Sequence, residues 1–247
     1  MTIVVGAALV WVLAGCGGPA TRVPPSVVSP SAAPGATQSA TPTPSPSPQL
    51  GSTEKFAVAQ RVALATDALG VLDLRPAHRD TQSTQRLSSE LCPGPGGYNA
   101  LILTGRYRMW HNGDGHDGYA WAANHAAVYD GTSAAQVIDE LRRELPGRCE
   151  RYKADPASDD TFVVHTVREL ALPAAPGVTS QYAYCAAMSY DSGYQGHYCT
   201  LYLGREYSGV GVVSTFTYSA DGRGTCEAAG RRVAAMIAGQ LAALGPA

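Results

Sequence analysis

Apolar residues recur along this chain with two different periods, and the changes between them mark out the elements. In STEKFAVAQRVALATDAL, Val58, Val62, Ala65 and Leu69 share one helical stripe, with Ser52 or Thr53 placed to cap its start. RLSSELCPGPGG breaks into a Pro/Gly turn, after which YNALILTGRYRMW and GYAWAANHAAVYD read as strands joined by the loop HNGDGHDG. Within GRYRMW the period of two sets Arg106 and Arg108 opposite Tyr107 and Met109, so one side of that strand meets water. TSAAQVIDELRREL carries Val137, Ile138, Leu141 and Leu145 at helical spacing, Ser133 and Gln136 offer a capping box, and PGRC closes the helix. TFVVHTVREL, SQYAYCAAM, HYCTLYLG and GVGVVSTFTY are β-rich runs bounded by turn residues. CEAAGRRVAAMIAGQLAAL then aligns Cys226, Val233, Ile237, Leu241 and Leu244 on one helical face. This order predicts an α+β fold, a mainly antiparallel sheet packed against helices.

The first residues follow neither period. IVVGAALVWVLAG is an apolar run of about a dozen residues, short of the ~20 that a membrane-crossing helix needs. It ends in Leu13, Ala14, Gly15 and Cys16, and the whole resembles a bacterial lipoprotein signal, in which a peptidase cuts before a cysteine carrying diacylglycerol. The resemblance implies that residues 1–15 are removed and that Cys16 anchors the chain to the outer face of the cell membrane. The run is preceded only by MT, without the positive charge usual in an export signal, which leaves room for a start codon upstream. Residues 16–52 comprise that cysteine and a stretch of Pro, Ser, Thr, Ala and Gly with Arg22 as its one charge. Such a composition cannot bury enough apolar surface to offset its ordering entropy, so it reads as a disordered tether. At ~3.1 Å per residue in polyproline geometry it would reach on the order of 110 Å when fully extended. Residues 53–247 remain as the folded domain.

Charge narrows the function. The formal net charge is −2, and no run of Lys or Arg supplies the basic footprint that nucleic-acid binding requires. No GxSxG, SxxK or HExxH pattern is present, and no CxxC or Cys/His zinc spacing, so neither a hydrolase site nor a metal cofactor is expected. His111, Asp114, His116 and Asp117 crowd into HNGDGHDG, with His125 beyond, but Asn, Gly and Asp are also what a tight turn demands, and the loop reads as an incidental surface turn. Aromatic residues are the better material for binding. Tyr107, Trp110, Trp121, Tyr184 and Tyr202 are candidates to line a ligand cleft, although core packing explains such residues equally well.

With Cys16 assigned to lipid, Cys92, Cys149, Cys185, Cys199 and Cys226 remain, an odd set that gives two bridges and one leftover thiol in an oxidising compartment. Cys185 and Cys199 lie symmetrically about DSGYQG, so a hairpin there would set them opposite one another.

A cysteine in a Pro/Gly turn before two strands, then NHAAVYDGTSAAQVIDELRRELPGRC, YCTLYLGREYSGVGVVSTF and a closing Cys226 with AAGRRVAAMIAGQL together resemble the PknH-like extracellular sensor domain of actinobacteria. The resemblance covers roughly residues 58–244. It implies bridges Cys92–Cys149 and Cys199–Cys226, each contributing roughly 3–4 kcal/mol by loop entropy, and leaves Cys185 alone. His165 and His197 lie in segments near that thiol in sequence, but a structural role for Cys185, or an intermolecular disulfide, is the stronger reading. It also implies a cleft for an extracellular signal. The expectation is thus a lipid-anchored, non-enzymatic lipoprotein that captures a small molecule or protein of the cell envelope. A structural subunit of an envelope complex is the alternative, and a thiol- or metal-dependent hydrolase a weaker one.

Overall fold

The computed structural model describes residues 50–82, 101–113, 120–129, 131–148, 151–152, 162–191, 193 and 195–246. Cys16, nearly all of the tether, the turn containing Cys92, Cys149, and Asp114, His116 and Asp117 of the HNGDGHDG loop lie outside these residues.

Helix α1 (Ser52–Val62) starts earlier than predicted: Gly51, not Ser52 or Thr53, is the capping residue, because the Glu54 carboxylate accepts from the Gly51 amide at 2.7 Å and draws Ser52 and Thr53 into the first turn. Val58 and Val62 are buried as the stripe requires, but the helix stops before Ala65, which is exposed. Tertiary contacts overrule the helical period here. The Leu64 amide turns to the Asn124 side-chain oxygen at 2.8 Å, and the Thr66 carbonyl accepts from Trp110 Nε1 at 2.7 Å. Leu69 reaches the core instead from a short 3₁₀ turn, Ala68–Leu72.

Eight strands follow, paired throughout in antiparallel fashion: β1 (Arg75–Gln82), β2 (Ile102–His111), β3 (Trp121–Tyr129), β4 (Arg151–Tyr152), β5 (Phe162–Glu169), β6 (Ser180–Tyr190), β7 (Gln195–Tyr207) and β8 (Val210–Ala220). Their order across the sheet is β1-β2-β3-β8-β7-β6-β5-β4. Helix α2 (Ala134–Arg148) connects β3 to β4, and α3 (Arg223–Ala242) follows β8. The α+β reading therefore holds, with three α-helices among the described residues. β1 has no counterpart among the predicted strands, because RPAHRDTQ has no apolar alternation. It is an edge strand held by charge and amide contacts: Asp80 accepts from Arg106 and from Arg108, and Gln82 donates to the Thr104 hydroxyl at 3.2 Å.

Side-chain alternation gives each sheet face its own core. On one face α1 and α3 cover Trp110, Ala122, Val128, Leu201, Leu203, Val212 and Phe216; on the other, α2 packs over Tyr129, Tyr182, Tyr202 and Val213. The predicted stripe of α3 is buried in full, from Cys226 through Val233, Ile237 and Leu241 to Leu244 beyond the helix end. The capping box of α2 also forms: Ser133 Oγ accepts from the Gln136 amide at 3.1 Å and Gln136 Oε1 from the Ser133 amide at 2.9 Å. A second acceptor reaches the same helix start from β7, the Glu206 carboxylate, at 2.7 Å from the Ala134 amide.

The disulfides differ from the pairing implied by the family resemblance. Cys199 is bridged to Cys185, not to Cys226, with Cα atoms 4.1 Å apart. The reason is register: β6 and β7 form a hairpin that sets Cys185 directly opposite Cys199, whereas Cys226 sits in the first turns of α3. Among the described residues Cys226 is the free, buried thiol, and Cys185, expected to stand alone, is engaged. One bridge, rather than two, is present among the described residues.

Candidate functional site

A cleft of about 210 Å³ opens where the first turns of α3 meet β5, β6 and β7. Strand order makes it. Arg168 of β5 lies opposite Cys185 of β6, Cys185 lies opposite Cys199 of β7, and His197 precedes Cys199 by two positions on the same face. Helix α3 then lowers Arg223 and Cys226 onto this row, so that Arg168, Cys185, His197, Arg223 and Cys226 line one cavity together with Ala186 and Ala187.

The polar groups divide into fixed and available ones. Arg223 is turned toward Glu227, its Nε donating to the carboxylate at 2.7 Å, and this contact holds the Glu227 carboxyl below the usual range. His197 Nδ1 lies 3.1 Å from the Asp221 carbonyl. Arg168 is exposed on its strand. The cleft therefore presents guanidinium and imidazole edges beside the start of a 20-residue helix. That combination suits a compact ligand with an anionic group. Its volume falls short of the ~300–1,000 Å³ of cavities that enclose drug-sized molecules.

Cys226 is fully buried in the cleft wall. Its thiol donates to the His197 carbonyl at 3.1 Å, and the Tyr218 and Ala220 carbonyls are each 3.9 Å away. Burial pushes the thiol up from its ordinary value near 9 to about 12, with Asp221 and Glu227 adding to the rise and the hydrogen bond to Ala220 opposing it. At neutral pH the group is a protonated donor and a poor nucleophile. The unfolded chain releases this proton near its ordinary value while the folded chain retains it to about 12, so stability is full below about pH 9 and falls between the two. Relative to Cys226→Ala, the native chain should lose on the order of 1.4 kcal/mol per pH unit within that window, read as the difference between paired denaturation curves. Parallel curves for the two proteins across the window would contradict the assignment.

The aromatic candidates do not line this cleft. Tyr107, Tyr184 and Tyr202 are buried and Trp121 half-buried on the α2 side of the sheet, and Trp110 is buried on the opposite side, where its indole donates to Thr66. Tyr182 stacks on Tyr202 at 6.2 Å, Tyr184 meets Tyr198 edge-on at 5.9 Å, and Arg142 of α2 lies 5.4 Å over the Tyr182 ring. These rings pack the sheet. Of the histidines, His111 Nδ1 is 2.9 Å from the Gly113 carbonyl, and His125 is buried, edge-on to Tyr107 at 6.3 Å. Among the described residues no three His, Cys, Asp or Glu side chains gather as a metal site.

Arg168 and Arg223 escape sequence reasoning because nothing local marks them. Their convergence depends on β5, β6 and β7 being neighbours, a fact carried by the sheet order rather than by any motif. No family model, no curated protein and no solved structure matches the chain.

Proposed function

We propose that this chain is an exported, lipid-anchored and non-enzymatic binding domain of the cell envelope, with the sensor-type role implied by its resemblance to the PknH-like domains, and that it captures a small anionic ligand. The observation that carries the ligand class is the cleft at the start of α3, where Arg168, Arg223 and His197 face one cavity. Export is supported by the lipoprotein-like signal ending at Cys16, by the Pro/Ser/Thr tether, and by the Cys185–Cys199 bridge, since lasting disulfides belong to oxidising compartments. Binding is favoured over chemistry because the Cys226 thiol in the cleft wall is held protonated and hydrogen-bonded.

Thermal shift against small carboxylates and phosphate esters, with neutral molecules of the same size as controls, tests this reading. A ligand at ~100 times its Kd should stabilise the domain by about 2.7 kcal/mol. Arg168→Ala should weaken that ligand at least about tenfold, the order of one lost charge-assisted hydrogen bond. Equal shifts from neutral and anionic molecules, or unchanged affinity in Arg168→Ala, would sink the ligand class.

A further inference from the structure

The cysteines of the described sheet and helix form a cluster, not a bridge plus a remote thiol. Cys185, Cys199 and Cys226 all belong to the core on the α1/α3 side, and Cys185 and Cys226 line the same cleft. One turn beyond Cys226, a Cβ placed on Gly230 would lie 3.8 Å from the Cys199 Cβ, so this face of α3 rides directly over Cys199. The Cys226 sulfur is 3.9 Å from the carbonyl of Tyr218, the residue paired with Cys199 across β7 and β8.

We infer that these residues form an internal thiol–disulfide exchange site, in which Cys226 displaces Cys185 from the bridge and exposes a reactive Cys185 thiol to the cleft. In the step, Cys226 gives its proton to solvent and its sulfur attacks the Cys199 sulfur. The Cys199–Cys226 bond forms, the Cys185–Cys199 bond breaks, and Cys185 leaves as a thiolate that Arg168 faces across the β5–β6 pair. No electrons enter or leave, so no external oxidant or reductant takes part. The two thiols differ in environment. Cys226 is fully buried, whereas Cys185 is 6% exposed at the wall of the cleft that Arg168 also lines, where small disulfides and electrophiles can meet it once it is released from the bridge. The exchange thus turns an inert thiol into a modifiable one without altering the oxidation state of the domain, and it holds whichever ligand the cleft accepts.

Burial of Cys226 sets the pace. From α3 and the turn before it, Glu227, Arg223 and Asp221 surround the group; His197 faces it from β7, Tyr218 from β8, and Arg168 lies across the cleft on β5. The carboxylates oppose thiolate formation along with desolvation, so exchange belongs to the minutes-to-hours range of uncatalysed disulfide rearrangement and accelerates about tenfold per pH unit below the thiol pKa.

The test is disulfide mapping of the full-length oxidised protein. After incubation at about pH 6 or about pH 9, samples are acid-quenched, alkylated in denaturant and cut after tyrosine, which separates Cys185 from Cys199 at Tyr190, Tyr194 and Tyr198. Among Cys185, Cys199 and Cys226, alkylation after incubation at about pH 6 should fall on Cys226, and incubation at about pH 9 should transfer it in part to Cys185, together with a Cys199–Cys226 linked peptide. Cys226→Ser should abolish the labelling of Cys185. Cys185→Ser should yield the Cys199–Cys226 link directly, and if that variant does not fold, the native protein and Cys226→Ser still decide the matter. Cys185 remaining unlabelled at both pH values while far-UV circular dichroism is native, or labelled equally in Cys226→Ser, would overturn the proposal.

Discussion

Replacing Gly211 by valine should destabilise the domain by roughly 3 kcal/mol, the upper range for overpacking, and lower its melting temperature by about 6–12 °C. A side chain at this position of β8 would start 2.7 Å from both the Ala134 amide nitrogen and the Thr132 carbonyl oxygen, and 3.0 Å from the Ser133 carbonyl carbon. These are backbone atoms of the α2 start, fixed by the Ser133–Gln136 box and by Glu206, so no rotamer change makes room. The helix must lift from the sheet and lose the packing of Val137, Ile138 and Leu141. Gly204 on β7 gives the contrast. There the two nearest atoms to the added carbon would be the Ala134 methyl at 2.8 Å and Ile138 Cδ1 at 3.0 Å, both in side chains, with one backbone atom, the Val212 carbonyl oxygen, farther off at 3.2 Å. Gly204→Ala should therefore be relieved in large part by Ala134→Gly, whereas Gly211→Val should not be. A double-mutant cycle on chemical denaturation reads this directly, and equal rescue at the two glycines would mean that α2 does not sit as described.

Asn124→Leu should cost about 3 kcal/mol, although leucine is apolar and close in size. Asn124 is fully buried in β3, and its amide makes three contacts: its oxygen accepts from the Leu64 amide at 2.8 Å, and its nitrogen donates to Ser214 Oγ at 3.0 Å and to the Thr215 carbonyl at 2.9 Å. Leucine would strand those buried groups, and each unsatisfied one costs roughly 1–3 kcal/mol. The effect should be local as well as large, because the Leu64 amide is where the chain leaves α1. Hydrogen exchange in the variant should show loss of protection at residues 63–66 beyond the global change. A ΔΔG within about 0.5 kcal/mol of zero would show that Asn124 is not the joint between α1 and the sheet.

Elements with a strong period were legible in the sequence, and their junctions were not. The α3 stripe and the α2 capping box rest on spacings of three and four residues that need no tertiary knowledge. β1 was invisible because charge rather than apolar alternation secures it to β2, and α1 ended early because Asn124, more than fifty residues away, takes the amide that a further turn would have used. Parity alone separates Trp110 from Tyr107, an odd number of positions apart on one strand and hence on opposite faces, so these two were never able to line one cleft. Which partner Cys199 takes could not be read from the cysteine count, because the β6–β7 register decides it. The cleft itself has no linear signature, because its residues come from three strands and a helix that only the sheet order brings together.

An oxidised binding domain held by lipid at Cys16, as proposed above, would work outside the cytosol. Intact mass spectrometry of the protein extracted from its native membranes, alkylated with and without reduction, tests it most directly. The expected product is a chain that lacks residues 1–15, carries added acyl mass on Cys16, and exposes Cys185 and Cys199 to alkylation together only after reduction. A water-soluble chain that retains residues 1–15, bears no lipid and is alkylated at every cysteine without reduction would contradict it.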